Sequence, residues 1–226
     1  MRIAVVTGNP KPASRTHGVA LAVARALAEA LRAPYGPDGA LAGALWAPGG
    51  PGAPVLADPV LADAVLADPV LADAALADGV LADGVPGAHL EVDLAGYAQR
   101  LFDPADGELS RLTAEVAAAD VAIFASPTYK ASYTGMLKAF LDRYGNNGLA
   151  GTVAVPVMTG GWAGHLLAVE VHLRPVLVEL GATVPARGLY VTEPELAELD
   201  AKVAGWAATA VPLIGAALAA HEASEV

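Results

Sequence analysis

Ile3-Ala4-Val5-Val6-Thr7-Gly8-Asn9-Pro10-Lys11-Pro12-Ala13-Ser14-Arg15-Thr16 joins a continuous apolar run to a polar turn. The run has the pattern of a strand buried on both faces. Beyond the turn, Val19, Val23, Leu27 and Leu31 recur at helical spacing, which predicts a helix over residues 16–31. Outward from this unit the alternation continues. Residues 89–94 read as an edge strand, 108–119 as a helix and 121–126 as a second buried strand. Residues 134–144 read as a helix, 152–158 as a strand, 164–180 as a helix and 184–191 as a strand. A closing helix is expected over 195–220, kinked at Pro212. Strands that alternate with helices imply a parallel sheet covered on both faces. Five strands fit the doubly wound, flavodoxin-like order 2-1-3-4-5, so residues 1–226 are expected to form one α/β domain. Such sheets bind ligands at the carboxyl ends of their strands, near the switch point.

The composition removes several classes of function. The 226 residues hold 13 Lys and Arg against 24 Asp and Glu, a formal net charge of −11. That balance argues against a general nucleic-acid binder. Cysteine is absent, which excludes disulfide scaffolds, Cys-ligated metal and cysteine nucleophiles. The apolar fraction, 55%, is inflated by alanine, and no membrane span is expected. A strand begins at once where a signal peptide would need a longer apolar region, so a cytoplasmic location is expected. His165 and His172 share a helix face, but the ligand set around them is too small for a metal site.

The charge is unevenly placed. Between Arg32 and Arg100 there is no Lys or Arg, and that stretch carries −9 against −2 for the remainder. From Val55 onward the unit Val-Leu-Ala-Asp-x recurs six times, with Ala75 replacing one Val, after a Gly/Pro/Ala tract. On a helix a period of five rotates each unit by about 140°, so no apolar face forms. On a strand an odd period flips each unit to the other face. Pro59 and Pro69 also interrupt a helix interior. Residues 34–87 therefore read as a low-complexity, flexible acidic insertion between the first helix and the second strand. The net acidity belongs to that insertion and says little about a ligand.

Three turns at the carboxyl ends of strands carry the chemistry. The first offers Asn9, Lys11, Ser14, Arg15 and Thr16 before a free helix N-terminus, a setting that suits a phosphate. It has neither Gly-x-x-x-x-Gly-Lys-Ser/Thr nor Gly-x-Gly-x-x-Gly. The bland alternative is that Ser14 or Thr16 only caps the helix. The second, Ser126-Pro127-Thr128-Tyr129-Lys130, places an aromatic beside backbone donors and suits the edge of a flat heteroaromatic ring. The third, Thr159-Gly160-Gly161-Trp162, lets backbone approach such a ring closely. Singly, a Gly-Gly turn is usually just a turn and a Tyr usually core or rim; together, after strands 1, 3 and 4, they point to one ligand site.

These motifs resemble the NADPH-dependent FMN reductases, above all the reductase component of two-component alkanesulfonate monooxygenase systems. The likeness lies in Gly8-Asn9-Pro10-Lys11-x-x-Ser14-Arg15-Thr16 and in the run from Pro127 through Tyr133-Thr134-Gly135-Met136-Leu137-Lys138. It continues in Thr159-Gly160-Gly161-x-x-His165-Leu166-Leu167-Ala168-Val169 and Arg174-Pro175-Val176-Leu177. Asn9, Lys11 and Trp162 depart from the family's usual residues. The resemblance implies FMN with its phosphate against Ser14, Arg15 and Thr16. It implies the isoalloxazine against Pro127, Thr128, Tyr129, Lys130, Thr159, Gly160 and Gly161. NADPH or NADH would be the hydride donor, and a flavin-dependent monooxygenase the partner. No catalytic side chain is implied. It further implies a homodimer or homotetramer, with a π-bulge at Tyr133 in the interface. A quinone or azo reductase of the same superfamily and an electron-carrier flavodoxin are the competing readings. A carrier usually lacks the long Pro-x-Tyr-Lys and Thr-Gly-Gly…His segments present here.

Overall fold

The computed structural model of the chain describes residues 1–31 and 89–224. The insertion expected at 34–87 lies outside the described residues. Five strands appear: β1 (Ile3–Thr7), β2 (His89–Asp93), β3 (Val121–Pro127), β4 (Val153–Gly160) and β5 (Leu189–Thr192). Between and after them run α1 (Arg15–Ala30), α2 (Gly107–Ala117), α3 (Gly135–Leu141), α4 (Arg174–Glu179) and α5 (Leu199–Ser224). All four strand pairs are parallel and the order is β2-β1-β3-β4-β5, as the alternation predicts.

Successive strand residues point to opposite faces, and each face has its own core. Ala4, Val6, Phe124 and Met158 meet Leu109 of α2 and Leu137 and Phe140 of α3. Ile3, Val5, Ile123 and Val155 meet Val19, Val23 and Leu27 of α1 and Val203, Val211 and Ile214 of α5. Each fully buried side chain of this size contributes roughly 1.5–3 kcal/mol. Among the described residues one helical stretch, Glu193–Ala223, is long and apolar enough to cross a membrane by length and composition. Its inner stripe is packed in the core on the α1 face, and the helix runs through Pro212.

Two segments depart from the expected elements. The helix expected over 164–180 is divided into a 3-10 turn (Ala163–His165), a π-helical turn (Val169–Leu173) and α4. Pro175 stands in the first turn of α4 and has no N–H to return to Val171, so the ladder widens just before it. The strand expected over 184–191 begins only at Leu189. Ala154 N donates toward this side, to Thr183 O at 2.8 Å. The next β4 donor on that side would be Pro156, which has none. Pairing resumes at Val157 and Leu189. In the gap, the Arg174 guanidinium takes the carbonyls of Val184 and Ala186.

Candidate functional site

The carboxyl ends of β1, β3, β4 and β5 open onto one cavity of about 360 Å³. Asn9, Lys11, Ser14, Arg15 and Thr16 line it from the first turn. Pro127, Thr128 and Tyr129 line it after β3, and Thr159, Gly160 and Gly161 after β4. Lys130 does not reach the wall.

The first turn is built from its own side chains. Asn9 Oδ1 accepts from Lys11 N at 3.0 Å. Ala13 takes a positive φ of 46° and its N–H donates to Asp93 Oδ2 at the end of β2, at 2.9 Å. Ser14 is the N-cap of α1, and its Oγ accepts from His17 N at 3.3 Å. The capping role is thus real, and it leaves the anion site open. Among the described residues no hydrogen bond occupies the N–H groups of Arg15 and Thr16, the orphan donors that a helix start presents to an anion. Beneath them the buried His17 ring lies 2.9 Å by Nδ1 from Thr7 Oγ1 and 2.7 Å by Nε2 from Glu91 Oε1. It ties the start of α1 to both β1 and β2.

Hydrogen bonds stitch the three turns into one rim. The Thr16 and Thr159 hydroxyls are 2.7 Å apart, and Asn9 Nδ2 donates to Thr16 Oγ1 at 3.3 Å. Thr128 N donates to Thr159 O at 2.7 Å. Thr134 Oγ1 donates to Gly8 O at 2.6 Å while accepting from Leu137 N. A Cβ at Gly8 would lie 2.4 Å from Leu137 Cβ, so only glycine lets α3 come this close.

After β3 the chain folds back on itself. Tyr129 and Ser132 exchange both backbone hydrogen bonds, with Lys130 and Ala131 at φ of 53° and 65°. That reversal leaves Tyr129 half exposed on the rim, and Lys130 is not among the lining residues. It also corrects the expectation of a π-bulge at Tyr133. Tyr133 lies outside the helix, one residue before the N-cap Thr134, and a bulge needs a residue within the ladder. The π-helical turn is instead Val169–Leu173, ahead of Pro175.

Sequence reasoning missed the fourth wall, Val191, Glu193 and Leu196. Val191 lies at the carboxyl end of β5 and Glu193 and Leu196 follow it, so the rule that singled out the other turns applies to them equally. Glu193 Oε1 accepts from Arg15 Nη2 at 2.7 Å. Glu195 accepts from Thr192 N and from Lys202 Nζ. The Lys202 ammonium, aided by Thr192, pulls its carboxyl down to about 2. A larger groove, about 430 Å³, runs along the outer edge of β5 past Leu166, Arg187 and Trp206. None of the three turns lines it.

The smaller cavity thus has donors and cations at one end and glycine backbone beside an aromatic at the other. Its lining contains no His or Cys. It is arranged to hold an anion joined to a flat ring.

The sequence profile of the family described as NADPH-dependent FMN reductase matches residues 71–195. An FMN reductase (NADPH) of Escherichia coli is 40% identical over 88 residues, 39% of this chain and 46% of that protein. An NADH-dependent FMN reductase, SfnF, of Pseudomonas fluorescens is 35% identical over 104 residues, 43% of this chain and 56% of that protein. The chain spans about half the length of these curated relatives. A solved oxidoreductase of Corynebacterium diphtheriae shares the fold with a TM-score of 0.64 at 20% identity, over 97% of each chain. The apo form of an NADH:FMN oxidoreductase, EmoB, does so at 0.57 and 22%, over 91% of this chain and 87% of that one.

Proposed function

This chain belongs to the NADPH-dependent FMN reductase family, and from that premise we propose that it binds FMN in the 360 Å³ cavity and reduces it with NADPH or NADH. The observation that carries the reading is the convergence of three separate turns, after β1, β3 and β4, on one hydrogen-bonded rim. The donor set fits the cofactor. The free N–H groups of Arg15 and Thr16, the Ser14 hydroxyl and the Arg15 guanidinium hold the phosphate. Pro127, Thr128 and Tyr129 face Thr159, Gly160 and Gly161 as the two sides of a slot for the ring. When bound, the flavin supplies the redox chemistry, and the protein supplies binding and orientation. Lys130, next to Tyr129, is not among the residues lining the cavity.

Reduced flavin then passes to a flavin-dependent monooxygenase. The enzyme works in the cytoplasm as a homodimer or homotetramer. An exposed apolar group, Leu166, Leu167, Val171 and Val178, supports self-association. Every described residue that lines the cavity belongs to residues 9–16 or 127–196, and the flavin chemistry resides there. The test is steady-state oxidation of NADPH and of NADH with added FMN, FAD or riboflavin. Turnover with FMN is expected. No turnover with any flavin and either nucleotide contradicts the reading.

A further inference from the structure

Arg15 and Glu193 meet across the cavity from opposite ends of the chain. Arg15 is the first residue of α1, beside the N-cap Ser14. Glu193 follows directly on β5. The Arg15 Nη2 to Glu193 Oε1 distance is 2.7 Å, and the side chains are 67% and 55% exposed. Glu193 is held where it is by its neighbours. Thr192 before it is fixed by a capping box with Glu195, whose carboxylate is also taken by Lys202 at 2.7 Å. Among the described residues lining the cavity, Glu193 is the only acid.

A phosphate monoester carries about −1.5 to −2 charges at neutral pH. It needs the Arg15 guanidinium, which an anion already holds. Phosphate and the Glu193 carboxylate therefore compete for Arg15. The contact with Glu193 opens, Arg15 turns to the phosphate, and the carboxylate returns to water or stays as a repelling neighbour. In either case the phosphate end loses affinity, and because Glu193 also borders Gly161 the effect is read as the change for FMN relative to riboflavin. An exposed pair opens at small cost, whereas a buried one would not.

We propose that Glu193 is a specificity-determining residue that loosens the phosphate end of the site, so that FMN is held as an exchangeable substrate and not as a resident cofactor. This rests on the flavin-reductase reading and adds to it the residue that sets release. An enzyme that hands on reduced flavin must let it go, and Glu193 competes for the cation that would otherwise retain it.

The experiment measures FMN and riboflavin affinities by quenching of flavin fluorescence. The proteins are the wild type, Glu193→Gln, Arg15→Ala and the double variant. Riboflavin has the same ring without the phosphate, and its binding reports that each variant keeps an intact site. Glu193→Gln tightens FMN relative to riboflavin about two- to fivefold, the range of an exposed ion pair. The gain falls at higher salt and in the Arg15→Ala background, where there is no partner to exchange. FMN affinity unchanged or weakened in Glu193→Gln, or an equal change for riboflavin, overturns the role of Glu193 and leaves the reductase reading standing. Failure of the wild type to bind either flavin overturns both.

Discussion

At Gly160 one added methyl group meets a phenol. A Cβ there would lie 2.2 Å from the Tyr190 hydroxyl. Tyr190 is buried, and its hydroxyl is bound to Thr128 Oγ1 and to the Trp162 carbonyl, so it cannot swing aside freely. Gly160→Ala is expected to destabilise the fold by about 1–3 kcal/mol, the usual cost of overpacking. It should also weaken FMN and riboflavin alike, because the ring end is disturbed. At Gly161 the nearest atoms to such a Cβ are 3.9 Å away, on the Glu193 side chain, so Gly161→Ala serves as the control with unchanged stability. Denaturant unfolding and flavin titration check both. Unaltered stability and affinity in Gly160→Ala would contradict the tight approach. The Gly-Gly pair was legible in the sequence as a place of close backbone approach. Which glycine is sterically required was not, because the obstructing Tyr190 lies thirty positions away on another strand. For the same reason Arg15 could be read as a cation for phosphate, while its resting partner Glu193 could not.

Among the elements, α3 depends on one hydroxyl. Thr134 is buried, caps the helix through Leu137 N, and donates to Gly8 O in the turn after β1. Thr134→Val keeps the shape and removes both bonds. The lost cap costs about 1 kcal/mol and the orphaned Gly8 carbonyl about 1–3, so unfolding free energy should fall by roughly 2–4 kcal/mol. A loss below about 0.5 kcal/mol would mean that the turn and α3 are joined by packing alone. Element type and order were readable from apolar periodicity, since strands buried on both faces and amphipathic helices leave unlike patterns. Failures fell where a proline acts through a neighbour. Pro156 delays β5 by withholding a donor from the next strand, and Pro175 widens the turn that precedes it. Neither effect is visible in the pattern of residues 164–180 or 184–191 itself. Tyr133 holds no π-bulge because the double positive-φ reversal at Lys130 and Ala131, unusual for residues other than glycine, keeps the chain in a loop up to the N-cap Thr134.

For the whole molecule, the strand order puts the chemistry at one end. Every site turn but one was found by asking which loops leave the carboxyl ends of strands. The exception, after β5, obeys the same rule. The central claim is that these loops form one FMN site with its phosphate on the first turn of α1. A crystal structure of the protein soaked with FMN tests it most directly. The account predicts the phosphate in hydrogen-bond contact with the N–H groups of Arg15 and Thr16, the Arg15 side chain turned from Glu193, and the ring between Tyr129 and the Thr159-Gly160-Gly161 backbone. FMN seated instead in the groove along β5 beside Arg187 and Trp206, or its phosphate away from α1, would contradict it.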